Sequence, residues 1–337
     1  MEEAILNFPK QFEYEPKIEN EDRLQALGKY ILCGMGGSHL QGDIMQNAYP
    51  GFDLSVHEDY GLPMWPKEIL KKTLIIASSY SGNTEETISA FQETMEKGYP
   101  AAVISTGGKL IALAKKHGVP YIQIPDTGIQ PRSALGFTFR ALAKMVGRED
   151  ILDQAGNLAH ELKPEELEEK GRSLAQQLRG KVPIMYASQR NYSVAYIWKI
   201  NFNETGKIPA FYNVFPELNH NEMTGFSAKG ALPDGGRGPA SGGDVSKAAS
   251  LSNIFHFIFL KDQDDHPKIQ KRMDILKKLY EDRGLPVTAL PLEGSFALGK
   301  IFSSLLLADW VAYYTALQYG SDPEQVPMVE EFKKLIG

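Results

Sequence analysis

The stretch LIIASSYSGNTEET (74–87) decides how this chain folds. Residues 74–78 form a short run with no charge, as expected of a strand buried on both faces of a parallel sheet. The run then breaks into SYSGNTEET (79–87), where Ser79, Ser81 and Thr84 gather three hydroxyls around Gly82 and the start of a helical pattern. Some hydroxyls belong at any helix start, because Ser, Thr and Asn favour capping positions. Three of them beside a glycine exceed what one cap requires. The group suits an oxyanion held by neutral donors and by the positive end of a helix.

A second loop of the same kind lies upstream. GMGGSHLQGD (34–43) follows the strand-like run 29–33, and Gly36 and Gly37 allow backbone to approach an anion while Ser38 adds a hydroxyl. This is no dinucleotide fingerprint: Gly34 and Gly36 fit G-x-G-x-x-G, but His39 stands at the third glycine. No Gly-Lys-Ser/Thr follows, so it is no Walker loop either. A tight turn without a ligand remains the plain alternative. Strand-like runs at 29–33, 54–58, 74–78, 102–105 and 121–124 alternate with helical patterns near 38–48, 84–97, 108–117 and 132–147. That alternation predicts one doubly wound parallel domain, with both loops at the carboxyl ends of strands, where such sheets bind ligands. A charged helical stretch (148–180) leads into a second series. Its strands are expected at 182–187, 210–214, 254–260 and 287–290, and its helices near 192–205, 217–223, 267–283 and 295–319. The fold class is therefore α/β, two doubly wound parallel-sheet domains, 1–150 and 151–337.

Composition narrows the function. With 36 basic and 42 acidic residues the net charge is −6, and no Lys/Arg run marks a nucleic-acid face. The single cysteine, Cys33, lies in an apolar run and reads as a buried strand residue. No Cys/His spacing suits a metal, so neither metal nor cofactor is expected. The first residues, MEEAILNFPKQFEYEP, lack a signal-peptide layout, and the apolar stretch 301–319 contains Asp309, which favours a buried helix over a membrane span. A cytoplasmic protein without membrane partners is expected. The Gly-, Ala-, Ser- and Pro-rich segment 225–249 reads as a surface loop, with a substrate lid as the alternative.

SYSGNTEET resembles the phosphate loop of SIS (sugar isomerase) domains. Taken with GMGGSHLQGD, PRSALG (131–136), NETGK (203–207) and ELNHNE (217–222), the chain from about 25 to 325 resembles the bifunctional phosphoglucose/phosphomannose isomerases. Relative to that family the 225–249 segment looks like an insertion. The resemblance implies two SIS domains. It also implies a metal-independent aldose–ketose isomerase acting on sugar 6-phosphates through a cis-enediol. Gly36, Gly37, Ser38, Ser79, Ser81 and Thr84 would hold the phosphate. Glu204 would shuttle the proton, His220 would open the ring from the partner of a homodimer, Arg132 would stabilise the enediolate and Lys300 would assist ring opening. Each has a plainer reading. Glu204 fits a solvated helix-end glutamate and His220 a structural histidine. Arg132 fits a surface cation near a helix start, and Lys300 a lysine snorkelling to solvent. Two other functions stay open: a different SIS enzyme, or a non-catalytic sugar-phosphate-binding regulator, which would need the hydroxyl loops but neither Glu204 nor His220.

Overall fold

The computed structural model describes residues 1–227 and 254–336. Most of the 225–249 segment lies outside the described residues. The chain divides into two compact units, Met1–Glu165 with Phe296–Gly299, and Glu166–Ser295 with Lys300–Gly337.

In the first unit β1 (Tyr30–Cys33), β2 (Leu54–His57), β3 (Leu74–Ser78), β4 (Ala101–Ser105) and β5 (Tyr121–Gln123) form one parallel sheet in the order β2-β1-β3-β4-β5. Helices α1 (Leu40–Ala48), α2 (Glu85–Glu96), α3 (Gly108–His117) and α4 (Leu135–Met145) connect or cover it. β1, β3 and β4 are buried along their whole length, so their side chains are apolar or small on both faces. Cys33 is among them, and burial pushes its thiol up to about 12, which leaves it unreactive at neutral pH. Strand order reverses between β1 and β3, and there the loops after both strands emerge side by side.

The second unit repeats the plan. β6 (Val182–Ser188), β7 (Phe211–Phe215), β8 (Phe255–Lys261) and β9 (Val287–Pro291) are parallel in the order β7-β6-β8-β9, so order reverses between β6 and β8. Its helices include α5 (Pro164–Gln177), α6 (Tyr192–Glu204), α7 (Pro267–Glu281), α8 (Ala297–Gln318) and α9 (Pro327–Ile336). One core gathers Tyr186, Phe215, Phe257, Phe259 and Tyr280, and Phe226 packs edge-on to Phe257 with ring centroids 4.9 Å apart. The expected helix near 217–223 is instead a pair of short 3-10 turns, Glu217–Asn219 and Glu222–Phe226. Pro216 stands just before the first turn, and the Asn221 side chain bonds its own neighbour's N–H at the second; both choices favour turns over a continuous helix. Asp309, the charge inside the apolar stretch, is buried on α8 and accepts a 2.9 Å hydrogen bond from Asn201 Nδ2. Among the described residues no helix is long and apolar enough to cross a membrane.

Backbone proximity at the first reversal yields a stability test. Gly82 has φ +72° and a Cβ there would lie 1.9 Å from Gly107 O, whereas Gly98 has φ +65° and open space around it. Gly98→Ala should cost about 1 kcal/mol, the left-handed penalty alone. Gly82→Ala should cost more, on the order of 2–4 kcal/mol, because backbone must move as well. Urea unfolding of the two variants beside the wild type checks the ordering.

Candidate active site

At the first unit's reversal, three loops that are far apart in sequence meet. Gly37 abuts the PRSALG segment so closely that a Cβ would lie 2.7 Å from Arg132 N and 2.8 Å from the Pro131 carbonyl carbon. Ser38 Oγ accepts a 2.9 Å hydrogen bond from Tyr80 N, linking the glycine loop to the hydroxyl loop. A hydroxyl that accepts one bond keeps a proton to donate. Gln41 tightens the link, its Nε2 donating to Ser38 O and to Ser78 Oγ, both at 2.8 Å.

Within the hydroxyl loop the three side chains differ. Ser79 is fully buried; its Oγ lies 2.8 Å from Thr84 Oγ1 and accepts from Gly82 N at 3.1 Å. Ser79 thus shapes the loop from inside. Ser81 is exposed and Thr84 half-buried. Thr84 stands at the N-cap of α2 without making a side-chain cap bond, so the cap explanation does not account for its hydroxyl. Arg132 is buried in the 3-10 turn Pro131–Ser133, contrary to the reading as a surface cation. Gln11 supports this segment: Nε2 donates to Ser133 O at 2.7 Å, and Oε1 accepts from Gly136 N at 3.0 Å at the start of α4. A glutamine 122 residues upstream leaves no sequence signal for that role.

In the second unit Glu204 is the last residue of α6, half-buried, ahead of a turn in which Lys207 takes a left-handed φ of +59°. Thr205 N and Gly206 N both donate to Asn201 O at 2.9 Å, closing the helix just past the glutamate. His220 is exposed and follows the turn Glu217–Asn219. The segment that carries it is pinned on both sides. Leu218 is fully buried, and Glu222 Oε1 accepts from the buried Tyr186 hydroxyl at 2.5 Å while Oε2 accepts from Asn213 Nδ2. Burial first, with the neighbouring Tyr280 and Glu222, pushes the Tyr186 phenol far above its usual range, so it acts as a fixed donor.

Lys300 does not snorkel. It is 6% exposed, and its ammonium lies 2.7 Å from Asp262 Oδ1 and 2.5 Å from Asp264 Oδ2. Burial alone would lower its pKa; the bonds to the two carboxylates reverse that, and the group is held above the ordinary lysine value. These aspartates, 38 and 36 residues away, were not singled out by sequence reasoning. The run KDQDD (261–265) at a strand end was the available signal.

His39 is also resolved. It is fully buried, with Nδ1 2.7 Å from Asp43 Oδ2 and Nε2 3.1 Å from Glu58 Oε2. Burial pulls its pKa down, but the two carboxylates prevail and hold it at about 9.

Two parallel α/β sheets, the first with a glycine loop and a hydroxyl loop at its reversal, define an SIS-type protein. Residues 167–336 match the bacterial phospho-glucose isomerase C-terminal SIS domain. A bifunctional phosphoglucose/phosphomannose isomerase of Aquifex aeolicus is 32% identical, over 98% of this chain and 96% of its own. One of Caldicellulosiruptor bescii is 33% identical over 99% and 98%. In fold, the crystal structure of tagatose-6-phosphate ketose/aldose isomerase from Escherichia coli superposes with a TM-score of 0.61 at 18% identity, over 96% of this chain and 88% of that one. The chain belongs to the bifunctional phosphoglucose/phosphomannose isomerase family.

His39 gives a pH test. Its folded pKa of about 9 lies above the ordinary 6.5, so its stabilisation is complete below about pH 6.5 and is lost as pH rises through 9. Wild-type unfolding free energy should fall across that window by up to roughly 3 kcal/mol, and the fall should flatten in His39→Gln. Equilibrium urea melts at pH 6, 7.5, 9 and 10 read it directly.

Proposed function

We propose that this protein is a metal-independent isomerase interconverting glucose 6-phosphate and mannose 6-phosphate with fructose 6-phosphate. The observation that carries the reading is its full-length kinship with curated isomerases of that dual activity. The meeting of the glycine, hydroxyl and PRSALG loops at one sheet reversal supports it.

Gly36, Gly37, Ser38, Ser79, Ser81 and Thr84 hold the phosphate through backbone N–H groups, hydroxyls and the N-terminal end of α2. His220 and Lys300 open the sugar ring, one group taking the proton of the O1 hydroxyl while the other gives one to the ring oxygen. Glu204 then removes the proton on C2. The electron pair forms the C1–C2 double bond of a cis-enediolate, and Arg132 stabilises the negative oxygen. The hydroxyl proton passes from O2 to O1, and the same carboxylic acid returns its proton to C1 as the C2 oxygen becomes the ketone. Glucose 6-phosphate and mannose 6-phosphate differ only in the configuration at C2, and deprotonation erases it, so one base serves both epimers. His220 reaches the substrate of a partner subunit in a homodimer; its exposure on a pinned turn agrees with that role. The setting is the cytoplasm.

Fructose 6-phosphate formation from each aldose, with EDTA present, tests the reading. Glu204→Gln should lower kcat by roughly 10²–10⁴-fold while glucose 6-phosphate still binds. Mixed dimers of Glu204→Gln and His220→Ala chains should regain part of the activity that either variant lacks alone, since half of their sites would carry both wild-type groups. Turnover of neither aldose by the wild type overturns the isomerase reading, and no recovery in mixed dimers overturns the shared site.

A further inference from the structure

The segment NFNETGK (201–207) ends in a lysine that the reaction scheme above does not use. Lys207 takes a left-handed φ of +59°, a region that glycine enters freely and a lysine enters at a cost. Among the described residues the only other non-glycine residue with positive φ is Asn20, and asparagine tolerates that region. A glycine stands one residue before the lysine, but it answers a different need. A Cβ at Gly206 would lie 2.9 Å from Phe202 O, so the chain folds back on the helix end only with glycine there. The left-handed position that follows is left to a residue with a long, charged side chain.

The side chain supplies the reason. A helix ends with carbonyls that no N–H of the helix itself reaches. At the end of α6, Asn201 O accepts from Thr205 N and Gly206 N, both at 2.9 Å, and Phe202 O accepts from Ile208 N at 3.2 Å. Glu204 O accepts from the Lys207 ammonium, which also donates to Gln325 O at 2.5 Å, in the segment that leads into α9. A cation at this end of a helix also faces the negative pole of its dipole. The preceding turn is anchored from the other side. Asn201 Nδ2 donates to Asp309 Oδ1 at 2.9 Å, both side chains buried, which ties α6 to α8 just before Glu204. Asn203 Nδ2 donates to Ile208 O at 3.0 Å and holds the exit. Glu204 therefore lies between a buried anchor and a cationic one.

We propose that Lys207 is a positioning residue of the reaction: its ammonium holds the last carbonyl of α6 and so fixes the backbone from which the Glu204 carboxylate reaches C2 and then C1. This rests on the proton-shuttling role given to Glu204 above. A base that takes a proton from one carbon and returns it to the next must be in place for both transfers. A displacement of about 1 Å can cost on the order of 10²-fold in rate. The last residue of a helix is where such a displacement is easiest, because helix ends fray. The cost of a left-handed lysine is set against that loss of precision. A residue acting in this way governs the proton transfers and leaves phosphate binding, which belongs to other loops, unchanged.

Lys207→Gly separates positioning from folding, because glycine suits the left-handed backbone while the ammonium is removed. Its urea midpoint should match or exceed that of the wild type. Its kcat for fructose 6-phosphate formation from glucose 6-phosphate should fall on the order of 10- to 100-fold. KM, and the inhibition constant of inorganic phosphate, should each change less than about threefold. Glu204→Gln combined with Lys207→Gly should be no slower than Glu204→Gln alone, because the lysine acts only through the glutamate. A kcat within about threefold of wild type in Lys207→Gly overturns the proposal. So does a fall in kcat that comes with a lowered urea midpoint, and so does a double variant whose losses multiply. If Lys207→Gly does not fold, Lys207→Asn carries the same readings, since asparagine tolerates the left-handed region and is too short to take the lysine's place. Failure of both to fold makes the lysine a folding element and overturns its positioning role. A wild-type protein that turns over neither aldose removes the isomerase reading itself, a distinct result visible before any variant is made.

Discussion

The first reversal depends on backbone meeting backbone at distances that no side chain permits. Gly37 lies against Pro131 and Arg132, and Gly82 against Gly107. Glycine at these points allows the loops after β1 and β3 and the PRSALG turn to converge. Once they do, Ser38 can reach Tyr80 N, and Arg132 is carried inside rather than left on the surface. A larger residue at either glycine would separate elements that the sheet alone does not hold together, because the PRSALG turn belongs to no strand.

The sequence revealed the sheets and the first reversal because both are local. Short apolar runs between helical patterns name parallel strands, and hydroxyls beside a glycine name a helix start. Strand ends shifted by a residue or so, as at Phe211–Phe215 against the expected 210–214, since the final ladder bond depends on the neighbouring strand. The helix expected at 217–223 was misread because apolar spacing there serves a pinned turn: Leu218 and Phe226 reach the core from two separate 3-10 segments. Arg132 and Lys300 were legible as charges but not as buried ones, for burial is a property of partners distant in sequence. Asp43 is the exception, since four residues along one helix set it beside His39, a pairing that spacing can reveal; Glu58 on the far side of the imidazole could not be inferred that way.

The two reversals carry different side-chain chemistry on one topology. A parallel sheet leaves the N–H ends of its helices near its strand ends, which suits anions wherever the loops are neutral. The second unit fills that position with three aspartates within four residues, and their repulsion must be met from inside the protein. Lys300 meets it for Asp262 and Asp264, and Ser188 and Asn191 meet it for Asp265, whose carboxyl burial nevertheless pushes above its ordinary range.

That arrangement has a consequence for any substitution of Lys300 itself. Asp262 is even more buried than the lysine, so removing the ammonium leaves a carboxylate without its counter-charge in a poorly solvated place. Loss of one partner from a buried pair typically costs about 3–5 kcal/mol. Lysine variants therefore destabilise the strand end after β8, and any activity they lose carries that destabilisation with it. An amide at Asp262 keeps the shape and a carbonyl oxygen for Lys300, while Asp264 still supplies a negative charge at 2.5 Å. The ammonium then keeps one charged partner and the fold keeps its packing, and what is lost is the charge of the buried acceptor.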